Sequence, residues 1–499
     1  MRLEKLLEKV NSTLINADVA IEIRGIGYDS RVIRSGELFV AVKGYETDGH
    51  NFISEAVGKG AVCIICEEAP GITIPYIIVK DSRKALALIS AQWFEFPANR
   101  LKLVGVTGTN GKTSVTNLIK FIIEKCSKSK VGLIGTNGNF IGNRELSTEH
   151  TTPESYEMQK LLDKMVLEGC EYVVMEVSSH ALYLSRVYGI EYDIGVFTNL
   201  TSEHLDFHGS MEDYAGAKAL LFQNSRKSVI NIDDPYAPLM IENSAGSVMT
   251  YAINNSSADL TGKDIKLQGD RIEFCILATG SINRVDLPIP GMFSVYNALA
   301  SIASTVLLGF DIDCITPVLR SYDGVKGRAE VVPTGHDFTV LIDYAHTPDA
   351  LKNIITTVRG FAKGRVITVF GCGGDRDKAK RPLMGEIATS LSDFSVITSD
   401  NPRTEEPHAI IEDILTGIRD SCTAFTVIEN RREAICRALD SLGSGDVLIL
   451  AGKGHETYQI LGTEKIHFDD REVVAEHVRQ IRVESRKQMT EDPYLKPNR

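Results

Sequence analysis

The stretch Leu101-Lys102-Leu103-Val104-Gly105-Val106-Thr107-Gly108-Thr109-Asn110-Gly111-Lys112-Thr113-Ser114 decides how this chain folds. Its first six residues form a mainly apolar run of strand length. A glycine-rich turn comes next, and from about Thr113 to Lys125 apolar residues recur at helical spacing. A strand that turns directly into a helix aims backbone N–H groups and the positive helix end at one point, where a phosphate is well held. Lys112 adds a point charge there, and the Thr113 hydroxyl is placed for Mg²⁺. The general phosphate-loop pattern has glycine where Val106 stands, so this is the variant Gly-x-x-Gly-Lys-Thr. Gly108, Thr109, Asn110, Gly111, Lys112, Thr113 and Ser114 are therefore expected to bind ATP or GTP. A regulatory GTPase would also carry a base-reading Asn/Thr-Lys-x-Asp, and the sequence has none.

Further apolar runs lie at Tyr172-Val173-Val174-Met175, Ile194-Gly195-Val196-Phe197 and Val229-Ile230-Asn231-Ile232, with helical stretches between them. This alternation predicts a mainly parallel, doubly wound sheet. Residues 1–98 read as mixed short strands and helices closing at Phe96-Pro97-Ala98-Asn99. After Arg328 come Thr339-Val340-Leu341-Ile342, Val366-Ile367-Thr368-Val369-Phe370, Phe394-Ser395-Val396-Ile397 and Val447-Leu448-Ile449-Leu450. Helical segments over Asp349 to Phe361 and Pro382 to Leu391 separate them, the pattern of a second, dinucleotide-type sheet. The expectation is α/β with three domains: an N-terminal α/β domain (1–98), a central P-loop domain with a mainly parallel sheet (99–328), and a C-terminal Rossmann-like domain (329–499). At roughly 150 residues per domain, 499 residues suit that division. Met1 to Val10 reads as a surface helix rather than a signal peptide. The polar end, Gln488 to Arg499, is expected to fray.

Lys and Arg number 54 against 66 Asp and Glu, a net charge of −12. That balance argues against a general affinity for nucleic acid or for anionic membrane. No run reaches the 18 or more apolar residues of a spanning helix, so no membrane insertion is expected. The nine cysteines are odd in number and scattered, which fits a reduced, cytoplasmic setting. Cys63-Ile-Ile-Cys66 lies in an apolar run that reads as a buried strand, whose alternate residues face opposite ways.

Glu176 ends the run at Tyr172 to Met175, where a carboxylate of the same sheet is well placed to hold Mg²⁺. His204 and His208 stand four residues apart, but the glutamate precedes His204, so the zinc motif H-E-x-x-H is absent. Lys218 carries no signal by itself.

Taken together these residues resemble the Mur ligases, the ATP-dependent amide ligases of peptidoglycan assembly, nearly end to end. The resemblance rests on Thr107 to Ser114, Glu176-Val177-Ser178-Ser179-His180, Thr198-Asn199 through His204-Leu205-Asp206, and Asn231-Ile232-Asp233-Asp234. It continues in Gly291-Met292-Phe293 to Asn297, Gly327-Arg328 and Asp343-Tyr344-Ala345-His346-Thr347-Pro348. The family implies one domain each for a UDP-sugar substrate, for ATP, and for an incoming amino acid. Gly371-Cys372-Gly373-Gly374-Asp375-Arg376-Asp377, Asp400-Asn401-Pro402-Arg403 and Ala451-Gly452-Lys453-Gly454-His455-Glu456 look like the members that add the third residue of the stem peptide. The Asp-Asn-Pro-Arg form resembles those that use meso-2,6-diaminopimelate. A guanidinium binds that amino acid's distal carboxylate through two parallel bonds, whereas lysine has no such group.

The resemblance also implies roles for single residues. Lys112, Lys218, His204 and Glu176 would be catalytic. Thr113, Glu176, His204 and Lys218, the last as a carbamate, would hold Mg²⁺. Asn297, Arg328 and Asp343 would join the loop in binding ATP. Ser30, Thr151, Thr152, Ser178 and Arg186 would meet the UDP-N-acetylmuramoyl dipeptide. Arg376, Asp400, Asn401, Pro402, Arg403, Gly452 and Glu456 would hold diaminopimelate. A monomer working on small molecules is expected. The alternatives are a lysine-adding member, a folylpolyglutamate synthetase-like ligase, which would lack the N-terminal UDP-sugar domain, and an inactive ATP-binding regulator.

Overall fold

A computed structural model describes residues 1–44, 47–146, 150–278, 281–418 and 424–491, with side chains as far as residue 480. The chain separates into two compact units. The first comprises Met1–Leu200, His204–Asp259 and Ala300–Asp311; the second comprises Thr201–Glu203, Leu260–Leu299 and Ile312–Arg499.

In the first unit, strands β1 (Ser12–Asn16), β2 (Gly25–Gly27), β3 (Glu37–Val40), β4 (Cys63–Cys66) and β5 (Tyr76–Val79) form a sheet in the order β1-β5-β4-β3-β2. β1 runs antiparallel to β5, and the other pairs are parallel. Every residue of β4 is buried, and the strand's alternation divides them. Cys63 and Ile65 belong to one apolar cluster, Ile64 and Cys66 to another. Burial pushes the Cys63 thiol up to about 12 and that of Cys66 to about 11, so both are kept as inert thiols. The N-terminal helix is shorter than its periodicity suggests, Leu3–Leu7; as expected of a surface helix, it leaves Glu4 and Lys5 exposed and turns its apolar face inward. Leu3 and Leu6 are almost fully buried in the N-terminal core.

The unit's second sheet contains β6 (Lys102–Thr107), β7 (Val131–Gly135), β8 (Gly138–Ile141), β9 (Arg144–Leu146), β10 (Tyr172–Glu176), β11 (Tyr192–Phe197), β12 (Ser225–Asn231) and β13 (Ser247–Ala252). Their order is β13-β12-β11-β6-β10-β7-β8-β9. Pairing is parallel from β13 to β7, and β8 and β9 continue it as antiparallel strands. The helix after β6 spans Lys112–Ser127. In the parallel register Glu176 pairs with Val106 on one side, and Phe197 pairs with Thr107 on the other. The ends of β10 and β11 therefore flank the start of the glycine-rich turn.

The second unit holds an antiparallel set, β14 (Leu260–Leu267), β15 (Ile272–Ala278) and β16 (Ser281–Leu287), of which only β15 carries a fully apolar run, Phe274 to Ala278. Its period of two is plain in β15, where Ile272, Phe274 and Ile276 are buried and Glu273 and Cys275 are not. The unit's main sheet has β17 (Glu330–Val332), β18 (Thr339–Asp343), β19 (Val366–Phe370), β20 (Phe394–Ile397), β21 (Ala424–Val427) and β22 (Val447–Ala451), in the order β17-β18-β22-β19-β20-β21. All pairs except β17 with β18 are parallel. Helices Pro348–Arg359 and Lys380–Leu391 pack on one face of it; Arg431–Asp440 and the start of Asp470–Glu491 pack on the other. That last helix takes in the first residues of the polar end expected to fray; residues 492–499 lie outside the described residues.

One buried ion pair ties this second face together. Arg431, whose side chain is wholly buried, donates to both oxygens of Asp470 at 2.9 and 2.7 Å and to the carbonyl of Ala451 at 3.1 Å. Removing the guanidinium strands a buried carboxylate. Arg431→Met is expected to cost about 3–5 kcal/mol, read as a lower urea midpoint. Pairing it with Asp470→Leu should recover much of that loss.

Candidate active site

The turn after β6 is shaped from outside by Thr198 and Asn199, the first residues after β11. Thr109 N–H donates to the Asn199 carbonyl at 2.8 Å, and Asn110 N–H to its side-chain oxygen at 2.9 Å. Asn199 Nδ2 and the Thr198 hydroxyl both donate to the Asn110 carbonyl. Asn231, at the end of β12, holds the Thr198 carbonyl in turn. Gly108 sits at φ +147°, and a Cβ there would collide with the Thr198 hydroxyl, so the close approach needs glycine. Gly111, also left-handed, precedes the helix Lys112–Ser127, whose first N–H groups lie in this turn. Lys112 Nζ folds back to the carbonyls of Gly108 and Thr109, 2.9 Å from each.

Lys218 reaches the same turn from the helix Met211–Gln223. It is 1% exposed, its Nζ donates to the Gly108 carbonyl at 2.9 Å, and it lies over the Tyr214 ring. Tyr214 Oη is 3.2 Å from Thr109 Oγ1. Lys112, Lys218 and the phosphate loop are thus brought together. His204 precedes the short helix Leu205–His208 with φ +57°. It does not share a helix with His208 as the four-residue spacing suggests. His208 Nε2 instead meets Ser179 Oγ at 2.9 Å, and the two imidazoles both pack on His180. Burial first, then the neighbouring His204 and His208, push the His180 imidazole down to about 4.

Glu176 is 1% exposed at the end of β10, where Thr136 donates to it through N–H at 2.8 Å and through Oγ1 at 3.2 Å. Thr136 Oγ1 also meets Thr151 Oγ1 at 3.0 Å, and Thr152 Oγ1 donates to the Glu176 carbonyl at 2.9 Å. Ser178 N–H donates to Thr152 Oγ1, and Arg186 Nη1 to the Thr152 carbonyl. Thr151, Thr152, Ser178, Arg186 and Glu176 therefore form one connected group. Ser30 stands apart, donating to Glu55 at 2.9 Å after β2. Among the described residues no three His, Cys, Asp or Glu side chains converge as a metal cage. The Glu176 carboxylate and the Thr113 hydroxyl nevertheless offer the oxygen donors a small hard cation needs, at the same sheet edge.

In the second unit the strand ends again collect the expected residues. The loop after β19 carries Arg376, the loop after β20 carries Asp400 to Arg403, and the loop after β22 carries Gly452 to Glu456. Asn401 Nδ2 donates to Glu456 Oε2 at 2.8 Å, and the wholly buried Lys453 lies 3.3 Å from both side chains. Arg403, at φ +52°, donates to the Gly374 carbonyl at 2.8 Å. Gly452, at φ +108°, leaves room for Asp400, whose Oδ2 would lie 2.7 Å from a Cβ. Arg376 is exposed, and its Nη1 donates to the neighbouring Asp375 carbonyl at 3.0 Å. Asp343 accepts from Ala329 N–H at 2.7 Å, and burial raises its carboxyl above the usual range, while Arg328 opposes that. Arg328 itself stacks over Tyr344. Asn297 lies half-buried in the helix Met292–Leu307.

Several residues that matter to this geometry carry no mark in the sequence: Thr136, Tyr214, Arg381 and Glu405. Their only signal is position just beyond a strand end or on a neighbouring helix, which has no motif. Arg381 is wholly buried and clamps Glu405 with two bonds of 2.8 and 3.0 Å; it also reaches Asp413 and the Gly373 carbonyl. Glu405 accepts in addition from Asp375 N–H. The loops carrying Arg376 and Arg403 are knitted together in this way.

Fold and loop define the class: a P-loop α/β protein with an additional dinucleotide-type sheet. Comparison with known proteins narrows it. Residues 22–94 match the Mur ligase family catalytic domain, 106–305 the Mur ligase middle domain, and 327–454 the Mur ligase glutamate ligase domain. A protein of Clostridium acetobutylicum named UDP-N-acetylmuramoyl-L-alanyl-D-glutamate--2,6-diaminopimelate ligase 1 is 47% identical, over 96% of this chain and 100% of its own length. One of Caldanaerobacter subterraneus subsp. tengcongensis, named as the same ligase, is 49% identical over 95% and 98%. A solved structure described as that ligase aligns with a TM-score of 0.72 at 31% identity, covering 97% of this chain and 99% of its own. The chain belongs to the Mur ligase family.

The Arg381 clamp, with smaller contributions from Asp375 N–H and Lys378, holds the Glu405 carboxyl down to about 2. Since the folded value lies below the ordinary 4.5, the stability this group contributes is fully present above 4.5. It is lost as pH falls through about 2. Glu405→Gln should therefore be less stable than the parent at pH 7. Urea titrations stepped downward from there should show the gap narrowing once pH drops below 4.5; a gap that stays constant in acid refutes the assignment.

Proposed function

We propose that this chain is an ATP-dependent amide ligase that adds meso-2,6-diaminopimelate to UDP-N-acetylmuramoyl-L-alanyl-D-glutamate, in cytoplasmic synthesis of peptidoglycan precursor. Relatives carrying that name at 47% and 49% identity, over nearly the whole chain, support the reaction. The observation that carries the choice of amino acid is Arg403 beside the linked pair Asn401 and Glu456. Diaminopimelate ends in both an ammonium and a carboxylate, so a guanidinium and a carboxylate from neighbouring loops suit it. Lysine would leave the guanidinium facing a cation. Arg376, Asp400, Pro402 and Gly452 complete the proposed amino-acid site.

The proposed labour divides along the chain at 1–98, 99–328 and 329–499, for the UDP-sugar, ATP and amino acid respectively. The three family matches, at 22–94, 106–305 and 327–454, favour this division. Ser30, Thr151, Thr152, Ser178 and Arg186 would meet the acceptor. Asn297, Arg328 and Asp343 would join Gly108 to Ser114 in holding ATP. We propose a monomer. Among the described residues no helix is long and apolar enough to cross a membrane.

The reaction has two steps. A carboxylate oxygen of the acceptor's terminal residue attacks the γ-phosphorus, ADP leaves, and an acyl phosphate remains. The amine of diaminopimelate, having lost a proton, then attacks the acyl carbon; phosphate departs and the amide is formed. The acceptor and ATP are anionic and the amino acid brings two further carboxylates, so the site has to supply fixed positive charge more than acid–base groups. Lys112 and the N–H groups from Gly111 to Ser114 would neutralise the transferring phosphoryl group. Thr113, Glu176 and His204 would hold Mg²⁺, which when bound supplies further charge at the phosphate oxygens. Lys218, as a carbamate, would turn from cation into anionic ligand. That modification needs a neutral amine, which burial favours.

Phosphate release measured with the UDP-muramoyl dipeptide should be rapid with diaminopimelate and slight with lysine. Arg403→Ala should raise KM for diaminopimelate roughly 10- to 100-fold, the loss of a bidentate charged contact. Equal turnover of both amino acids by the parent would overturn the choice. Lys218→Ala should lose roughly 10²–10³ in kcat, the scale for one stabilising group. A short carboxylic acid, and not bicarbonate, should restore part of it. Full activity in Lys218→Ala refutes the carbamate.

A further inference from the structure

Glu154 precedes the helix Ser155–Leu167 as its N-cap residue, yet its carboxylate makes no capping bond there. It is turned instead toward two arginines from different elements. Arg186 Nε lies 2.6 Å from Glu154 Oε1, and Arg83 Nη1 lies 4.0 Å from Oε2; all three side chains are four-fifths buried. The closer contact is misdirected, because the buried Arg186 Nε makes no hydrogen bond despite that distance. Arg83 is fixed by its Nε, which donates to the Lys43 carbonyl at 3.0 Å, and Arg186 by its bond to the Thr152 carbonyl. Two guanidiniums thus share one poorly aligned carboxylate. Asp81 and Glu67 are the other anions whose charge reaches Arg83. Burial pulls the Arg83 guanidinium below its usual range; the charge of Glu154 opposes this, and that of Arg186 adds to it more weakly.

We propose that Arg83 joins Arg186 in a two-guanidinium site for a carboxylate of the acceptor, and that Glu154 is a resident carboxylate which this ligand displaces. The inference rests on the proposed identity of the acceptor. The acceptor's terminal glutamate carries two carboxylates. One enters the reaction, and the other stays an anion that must be held. A guanidinium fork binds a free carboxylate through two parallel charge-assisted bonds, an alignment Glu154 does not achieve. Thr152, already bonded to Arg186, borders the same place.

Calorimetric titration with the UDP-muramoyl dipeptide, and separately with UDP alone, tests this. Arg83→Gln should weaken dipeptide binding about tenfold, the loss of one charged contact, and leave UDP binding unchanged. Glu154→Gln should tighten dipeptide binding about three- to tenfold, since the competing charge is gone. Misfolding weakens both variants, so opposite signs cannot come from it. Weaker binding in Glu154→Gln as well would make Glu154 a structural anchor and overturn the proposal. An equal loss of UDP affinity in Arg83→Gln would assign the site to the diphosphate and overturn it too. A parent that binds the dipeptide but turns over no diaminopimelate would refute the amino-acid reading and leave this one standing.

Discussion

The parallel pairing of β6 with β10 and β11 is the constraint on which the rest depends. A strand buried on both faces can satisfy its backbone groups only by lying in register with neighbours on both sides. Because the pairs are parallel, all their carboxyl ends emerge at one edge. The glycine-rich turn, Glu176 and the Thr198-Asn199 pair come out together for that reason. What the register brings near, hydrogen bonds then fix. Asn199 grips the turn from one side, while on the other Thr136 pins the Glu176 carboxylate. The second unit repeats the arrangement: loops after β19, β20 and β22 converge for the same geometric reason.

Charge obeys a different logic. The chain is acidic overall, yet the cations with most structural consequence are removed from solvent and matched one by one. Arg381 meets Glu405 and Asp413, Arg431 meets Asp470, and Lys453 meets Asn401 and Glu456. A buried cation is tolerated only with partners that replace its hydration, so each of these fixes the geometry of the loops around it. Arg83 and Arg186 are the instructive exception. They share one carboxylate, and its alignment is poor. Bulk composition averages over all of these and describes none of them.

Much of the fold is legible in the chain because its signals are local. Apolar runs mark β6, β10, β11, β18, β19, β20 and β22 to within a few residues, and Gly-Lys-Thr marks the turn into the helix. The antiparallel strands β14 and β16 leave a fainter trace, because half-buried alternation is weaker than a fully apolar run. The opening segment reads correctly as an amphipathic surface helix but overstates its length, and the partners that bury Leu3 and Leu6 lie far along the chain. Likewise, the spacing of His204 and His208 looks helical, but a left-handed residue starts that turn, and His208 is engaged by Ser179.

By itself, then, the sequence determined the strand and helix periodicities, the glycine positions that left-handed backbone requires, and which residue types stand after which strand. These depend on a residue and its near neighbours. Tertiary structure alone decided that Lys218 reaches the Gly108 carbonyl across 110 positions, that Thr136 holds Glu176, and that Arg381 joins two loops. Such contacts are set by sheet order and register, which arise from packing the whole core at once and leave no local trace in the chain.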